Sequence, residues 1–365
     1  MAKIISASVT CLTRPHVVLT TSYGEAKQER THAIVTLTDE DGRVGYGETT
    51  PLAHFNGETA GTATLVLQEV LLPALLGLDC FDIAAAHQRM DHAIADSFGA
   101  KSAADCAMYD LAAKTLGVPL YALLGGKCRD NVPINRHMGI VSTQEAENMA
   151  KDYAAQGFLS LKLKVGGNVD VCAERIAAVR RAVGPKARIR VDGNCGFSYP
   201  QAVQLIRRTE ECRLEFYEQL LPKWDMDGMR RLRKELGAPI LADESVNSVR
   251  DAMEYALHDA ADAVTIKLCK CGGLYPALRI AAAAEAAGMQ AVIASTYDTH
   301  IGCSACLHLA SALPNAQTAC DLTTFATQPI QAESCHTLEG MYLHAGSEPG
   351  IGLFGMYDYP MKIQR

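Results

Sequence analysis

The chain has 365 residues, 48% apolar and 21% charged, with a formal net charge of −7 and a mean hydropathy near zero. That length suits one large core with a smaller companion domain, and the acidic balance argues against nucleic acid as a partner. No uncharged apolar run approaches the roughly 18 residues a membrane helix needs, and the opening MAKIISASVTCLTRP lacks the apolar core of an export signal.

Residues 1–128 read as an α+β unit. THAIVTLTDEDGRVGYGET is two β-rich arms around the turn Asp39–Gly42, a hairpin. ETAGTATLVLQEVLLPALLG and SAADCAMYDLAAKTLG then place apolar residues three and four apart, the helical period. Gly117, Pro119, Gly125 and Gly126 punctuate the end of this part. Strands followed by helices are the mark of an α+β domain. GYGETT precedes no helix in the way a dinucleotide turn requires.

From residue 129 to 325 the pattern becomes strict strand–helix alternation. Eight strand candidates follow: VPINRHMGI, LSLKLKV, RIRVD, LEFYEQ, PILAD, AVTIKL, QAVIAS and QTACDL. Eight alternating units favour a parallel sheet closed into a barrel. Residues 326–365 read as a loop-like tail that returns to pack on the N-terminal domain. Thirteen cysteines, scattered through apolar segments, read as reduced core residues of a cytoplasmic protein. The CxxC of Cys303 and Cys306 lies in a segment of small residues and reads as helix packing, since no second pair stands at zinc spacing. Cys269 and Cys271 read as filler at a strand end.

Five ionisable residues end five successive strand candidates: Lys164, Asp192, Glu218, Asp243 and Lys267, spaced 28, 26, 25 and 24 residues apart. One strand, one helix and two short loops take about that length. Each residue therefore occupies the same place in its own βα unit, and equivalent strand ends share one face of a closed barrel. Asp192, Glu218 and Asp243 form a set of hard oxygen ligands suited to magnesium, with manganese as a substitute. A lone strand-end aspartate is as readily a helix cap, but three in register between lysines are not. Lys162 and Lys164 alternate with Leu161, Leu163 and Val165, so both point into the barrel. A lysine beside a metal and another cation is expected to have its pKa lowered toward neutrality, which makes it a usable base. Lys164, nearer the strand end, is the first candidate; Lys162 is expected to supply charge to a substrate carboxylate or to tune Lys164. Lys267 faces Lys164 across the pocket and is preferred for catalysis over Lys270, which is expected in the following loop.

At these residues the chain resembles the enolase superfamily, in its muconate-lactonizing-enzyme and dipeptide-epimerase branch. The likeness runs from GYGET through AADCAMYDLAAKTLGVPLYALLGG, Lys162-Leu163-Lys164, Asp192-Gly193-Asn194, Glu218-Gln219, Ala242-Asp243-Glu244-Ser245 and Ile266-Lys267 to Gly273. It implies a modified (β/α)7β TIM barrel with an α+β capping domain, a magnesium ion on the three carboxylates, and Asn194 and Glu244 orienting those ligands. It implies abstraction of the proton next to a carboxylate of a small substrate, with the enediolate stabilised by magnesium and lysine charge. Two lysines on opposite faces then give a racemase or epimerase acting on an amino-acid derivative. Cycloisomerisation or dehydration through the same enolate is the alternative. A Schiff-base lysine aldolase needs no three acidic strand ends, and a non-catalytic barrel would have lost some of the five polar residues.

In such enzymes two segments of the capping domain close over the pocket, here near Thr20–Arg30 and Pro51–Glu58, which puts His54 and Phe55 near a ligand. Tyr297, after the seventh strand, is a further substrate-contact candidate. Dipeptide epimerases carry two alternating aspartates after the eighth strand to hold an ammonium group. This chain has Asp321 but Thr323, which puts an ordinary dipeptide in doubt and leaves Asp321 to bind a cation. His300 falls too late for a catalytic base and reads as a helix-start residue or a substrate contact. Assembly into a homo-oligomer is expected by family analogy alone.

Overall fold

The computed structural model describes residues 2–25, 27–328 and 333–354. Three antiparallel strands, β1 (Ile4–Pro15), β2 (Glu29–Asp39) and β3 (Val44–Thr49), make the sheet of the capping domain. The hairpin turn falls where the Asp39–Gly42 reading put it, with Thr38 paired to Val44. Helix α1 (Ile83–Ala93) packs against α2 (Phe98–Leu116), and α2 covers one face of the sheet. Every residue of α2 from Gly99 to Ala113 is buried, because the helix is wedged between this sheet and the barrel. The wedge depends on small residues. A Cβ on Gly47 would lie 1.9 Å from the carbonyl oxygen of Ala103, and one on Gly45 would lie 2.3 Å from that of Ala107. The two glycines of GYGET thus let the helix backbone rest directly on the strand.

The second unit is a parallel sheet of seven strands in chain order: β4 (Arg136–Met138), β5 (Ser160–Lys164), β6 (Arg188–Asp192), β7 (Phe216–Glu218), β8 (Ile240–Ala242), β9 (Ala263–Ile266) and β10 (Gln290–Ile293). The helices between them are α3 (Thr143–Ala155), α4 (Val169–Val183), α5 (Tyr199–Thr209), α6 (Met226–Leu236), α7 (Val249–Leu257) and α8 (Leu274–Ala286), with α9 (His300–Ala312) after β10. Their starts are written locally. Ser142 with Glu145 and Ser248 with Asp251 close reciprocal capping boxes, and the Asn168 side chain accepts from two backbone amides of α4. Cys303 and Cys306 lie buried in α9, and neither is disulfide-bonded.

Two strand readings are corrected. The eighth stave is not an extended strand: closure rests on two bridges, Cys320 to Ile134 and Asp321 to Ala294. The first segment splits. Val132–Pro133 pairs antiparallel with Tyr342–His344, and only Arg136–Met138 joins the barrel sheet. The described part of the tail is also more ordered than a loop, since Thr337–Glu339 and Tyr342–His344 form a hairpin. It then reaches the seam between the units, where the Leu120 amide donates to the Gly350 carbonyl and the Ile351 amide donates to Asp110. Residues 329–332 and 355–365 of the tail lie outside the described residues.

Candidate active site

The pairing register builds the site. Lys164 lies beside Asp192 across β5 and β6, and Asp192 lies beside Glu218 across β6 and β7. Residues side by side in a parallel sheet point to the same face, so one line of pairing turns all three side chains inward. Asp243 follows β8 and Lys267 follows β9 at the same barrel end. Ligand oxygens of Asp192, Glu218 and Asp243 all lie within 4.8 Å of one another, and the three residues are fully buried.

Cations enclose these acids. Lys164 Nζ is 2.6 Å from Asp192 Oδ2, and Lys267 Nζ is 2.5 Å from Asp243 Oδ2. Lys162 Nζ sits beneath, 2.9 Å from Asp192, 2.8 Å from Glu218 and 2.7 Å from Asp321. Burial opposes the Lys162 ammonium, but Asp192, Asp321 and Glu218 outweigh it and hold its pKa well above the ordinary value. Lys267 behaves alike: burial is overcome by Asp243 and Glu244, and its pKa rises. The lowering expected from sequence is that of an amine beside a bound metal; the raised values of Lys162 and Lys267 belong to the site without the ion, where carboxylates are the nearest charges.

Glu218 shows the converse imbalance. Its Oε2 forms an ion pair with Lys162 but has no hydrogen bond aimed at it, and burial pushes the carboxyl pKa up to about 8. A dry, underpartnered carboxylate beside two others suits a hard divalent cation, so the donor set fits magnesium.

The residues read as ligand-orienting divide their labour. The Asn194 backbone amide donates to Asp192 Oδ1, while its side chain donates to Glu244. Glu244 also accepts from the Tyr23 hydroxyl, so it joins the barrel mouth to the capping domain. Gln219 carried no assigned role. Its Oε1 accepts from the Asp243 amide and the Ser245 hydroxyl, which fixes the turn that presents Asp243. Lys270 is not in a loop. It is buried in the short helix Leu268–Cys271 and donates to Asp243 Oδ1 and to the Asp243 and Thr265 carbonyls.

Asp321 lines a cavity at the barrel mouth and already holds cations of the protein itself. Its carboxylate is taken up by Lys162 and by the Asn135 amide, with His137 and Arg190 at 3.6 and 3.7 Å. The cation it holds is an internal lysine. Asn135, His137 and Arg190 went unremarked in the sequence. The signal was there: Arg190 alternates with Asp192 on β6 as Lys162 does with Lys164 on β5, and the same inward reasoning applies.

Two neighbouring cavities, of about 390 and 400 Å³, meet at Lys164, Lys267 and Tyr297. The first is walled by His54, Phe55, Tyr23 and Arg30 of the capping domain; the second reaches Lys162, His137 and Asp321. Phe55 lies with its ring centre 4.6 Å from Lys267 Nζ. Over the mouth, the Ser22 hydroxyl makes hydrogen bonds of 2.9 and 2.7 Å to the carbonyls of Val165 and Gly193. His300 lines neither cavity; it is buried edge-on against Phe325.

Family models match both units: residues 2–125 as a mandelate racemase/muconate lactonizing enzyme N-terminal domain, and residues 144–354 as enolase C-terminal domain-like. The chain belongs to the mandelate racemase/muconate lactonizing enzyme family of the enolase superfamily. It is 33% identical over 332 residues to an L-Ala-D/L-Glu epimerase of Bacillus subtilis, covering 88% of each chain. It is 34% identical over 298 residues to a chloromuconate cycloisomerase of Delftia acidovorans, covering 80% of each. The fold matches that of an Enterococcus faecalis dipeptide epimerase, solved with magnesium and the dipeptide L-Leu-L-Tyr. That match has a TM-score of 0.92 at 31% identity and covers 96% of this chain and 99% of the other. Within this family the chain is a magnesium-dependent isomerase. No helix among the described residues is long and apolar enough to cross a membrane.

Proposed function

We propose that this family member is a racemase or epimerase acting at the carbon next to the carboxylate of an amino-acid derivative, with Lys164 and Lys267 as its two bases. The observation that carries this reading is the placement of the two amines. One is anchored at the Asp192 edge of the carboxylate triad, the other at the Asp243 edge, and both open onto the same cavities. Asp192, Glu218 and Asp243 would hold magnesium, which when bound supplies Lewis-acid stabilisation of charge on a substrate carboxylate. Lys164 takes the proton from one face of the α-carbon and Lys267 returns one to the other. Lys162, fixed beneath, contributes positive charge where the substrate gains negative charge. The Ser22 and Tyr23 segment and Phe55 keep water from the exposed carbanion.

The test is proton exchange in deuterium oxide. Deuterium should enter the α-position of both stereoisomers in the wild type, and Lys164→Ala and Lys267→Ala should each abolish reaction from one stereoisomer. Full activity of either variant on both isomers rules the scheme out. The 34% identity to a cycloisomerase favours cycloisomerisation as the second reading, which predicts lactone formation with no exchange into an amino-acid derivative.

A further inference from the structure

Each carboxylate of the triad has one oxygen engaged by a donor fixed in the barrel. Asp192 Oδ1 accepts from the Asn194 backbone amide at 3.0 Å, Glu218 Oε1 from the Thr265 hydroxyl at 3.3 Å, and Asp243 Oδ1 from Lys270 Nζ at 3.0 Å. The other oxygens, Asp192 Oδ2, Glu218 Oε2 and Asp243 Oδ2, face the amines of Lys162, Lys164 and Lys267. Lys164 and Lys267 line both cavities and Lys162 lines the second, so these amines have open space beside them. Lys270 lines neither.

Lys270 is therefore a different kind of partner. It is 4% exposed, and a lysine is rarely buried so deeply without a task. Charge balance does not call for it, because Asp243 already has Lys267 on its other oxygen. An ammonium group has three protons, and this one has an acceptor for each: the Asp243 carbonyl at 2.5 Å, Asp243 Oδ1 at 3.0 Å and the Thr265 carbonyl at 2.9 Å. It grips the main chain and the carboxylate of one residue together, which fixes how that carboxylate is turned. Thr265, on β9, carries the lock to the next ligand. Its carbonyl accepts from Lys270 while its hydroxyl reaches Glu218, and it is fully buried.

We infer that Lys270, with Thr265, selects the ion by restricting Asp243 and Glu218 to one ligand oxygen each. Magnesium needs near-ideal octahedral geometry at about 2.0–2.1 Å and is served by single oxygens. Calcium takes six to eight oxygens at about 2.3–2.6 Å and often grips a carboxylate by both. An ammonium group 3.0 Å from Oδ1 repels any cation brought to that oxygen. Lys270 is thus a positioning residue that acts through Asp243. The inference goes beyond the isomerase reading, because it concerns the ion and holds whatever substrate the pocket accepts.

The experiment is titration calorimetry of the metal-stripped full chain with magnesium chloride and with calcium chloride, without substrate. Removing an ammonium group strengthens binding of both dications, so the ratio of the two dissociation constants carries the test. Lys270→Met should shift that ratio toward calcium by about 10- to 100-fold, the worth of a hydrogen bond to a charged group. Thr265→Val changes no charge and should shift it the same way by a smaller factor. A purely structural role would lower the urea midpoint and leave the ratio where it was. An unchanged ratio in Lys270→Met overturns the inference; if that variant does not fold, an unchanged ratio in Thr265→Val does so.

Calcium-loaded crystals give a second reading. Asp243 should offer one oxygen to the ion in wild type and both in Lys270→Met. Two oxygens already in wild type, or one in both proteins, counts against the inference. Because neither measurement uses turnover, a failed deuterium exchange would overturn the two-base scheme and leave this result standing.

Discussion

The buried carboxylates at the barrel mouth and those at the seam with the capping domain are satisfied in different ways. At the mouth, Asp192, Glu218 and Asp243 face mainly ammonium groups, with the Asn194 amide as one backbone donor to Asp192. At the seam, Glu48 accepts from the Thr299 and Gly302 amides and the Thr299 hydroxyl, and pairs with His32. Asp105 accepts from the Leu274 amide and meets His87, and Asp110 accepts from the Tyr46 and Ile351 amides and pairs with Lys114, so backbone donors predominate there. Backbone amides cannot move away without unfolding something. Ammonium groups can turn to a substrate or yield to a metal. The seam acids therefore hold the two units together, and the mouth acids stay available for chemistry.

Mutation separates the two sets. The largest effect is expected at the mouth: Lys164→Ala or Lys267→Ala should slow exchange from the affected stereoisomer by about a hundred- to ten-thousandfold, the usual contribution of a positioned base. Unfolding by urea should shift little in either variant beside that loss. Glu48→Ala should do the reverse. It leaves buried donors unpaired and should cost about 3–5 kcal/mol of stability, read as a lower urea midpoint. A variant that kept its midpoint would show that the seam does not depend on this acid.

Gly47→Ala tests the same seam by packing alone. The added methyl meets the Ala103 carbonyl, and overpacking of this kind costs about 1–3 kcal/mol in the same measurement. The smallest effect concerns Glu58, whose carboxyl burial pushes up to about 6 against hydrogen bonds from Ala100 and Gly99. Its folded pKa lies above the unfolded value of 4.5, so the folded state binds more protons between pH 4.5 and 6. Its contribution to stability therefore falls as pH rises through that window, by about 1–2 kcal/mol. Glu58→Gln should flatten that part of the stability–pH curve, and an unchanged slope would assign it to other groups.

Much of the mouth was legible because side-chain alternation and strand spacing are properties of the chain alone. Lys162 and Lys164 could be turned inward from LSLKLKV, and the constant interval put five polar residues at one barrel end. Pairing partners are not local, and there the reading stopped. QTACDL alternates like a strand, yet only Cys320 and Asp321 find bridging neighbours. Asp321 could be read as a cation site, but nothing in its own segment shows that Lys162, 159 residues away in sequence, is bound to it. Lys270 seemed to belong to a loop because a four-residue helix closed by Gly272 has no period long enough to detect. Arg190 was missed although its strand gave the signal, because a fully buried arginine runs against the usual surface prior.

The clasp formed by Ser22 ends on two main-chain carbonyls, at Val165 and Gly193. Gly166 and Gly196 leave it room, since a Cβ on either would come within 2.5 Å of the serine oxygen. A fastening that grips backbone is indifferent to which side chains decorate the barrel rim. Residues lining the cavities can therefore change from one descendant to another while the cover still shuts in the same place, so this architecture can explore new substrates without redesigning its door.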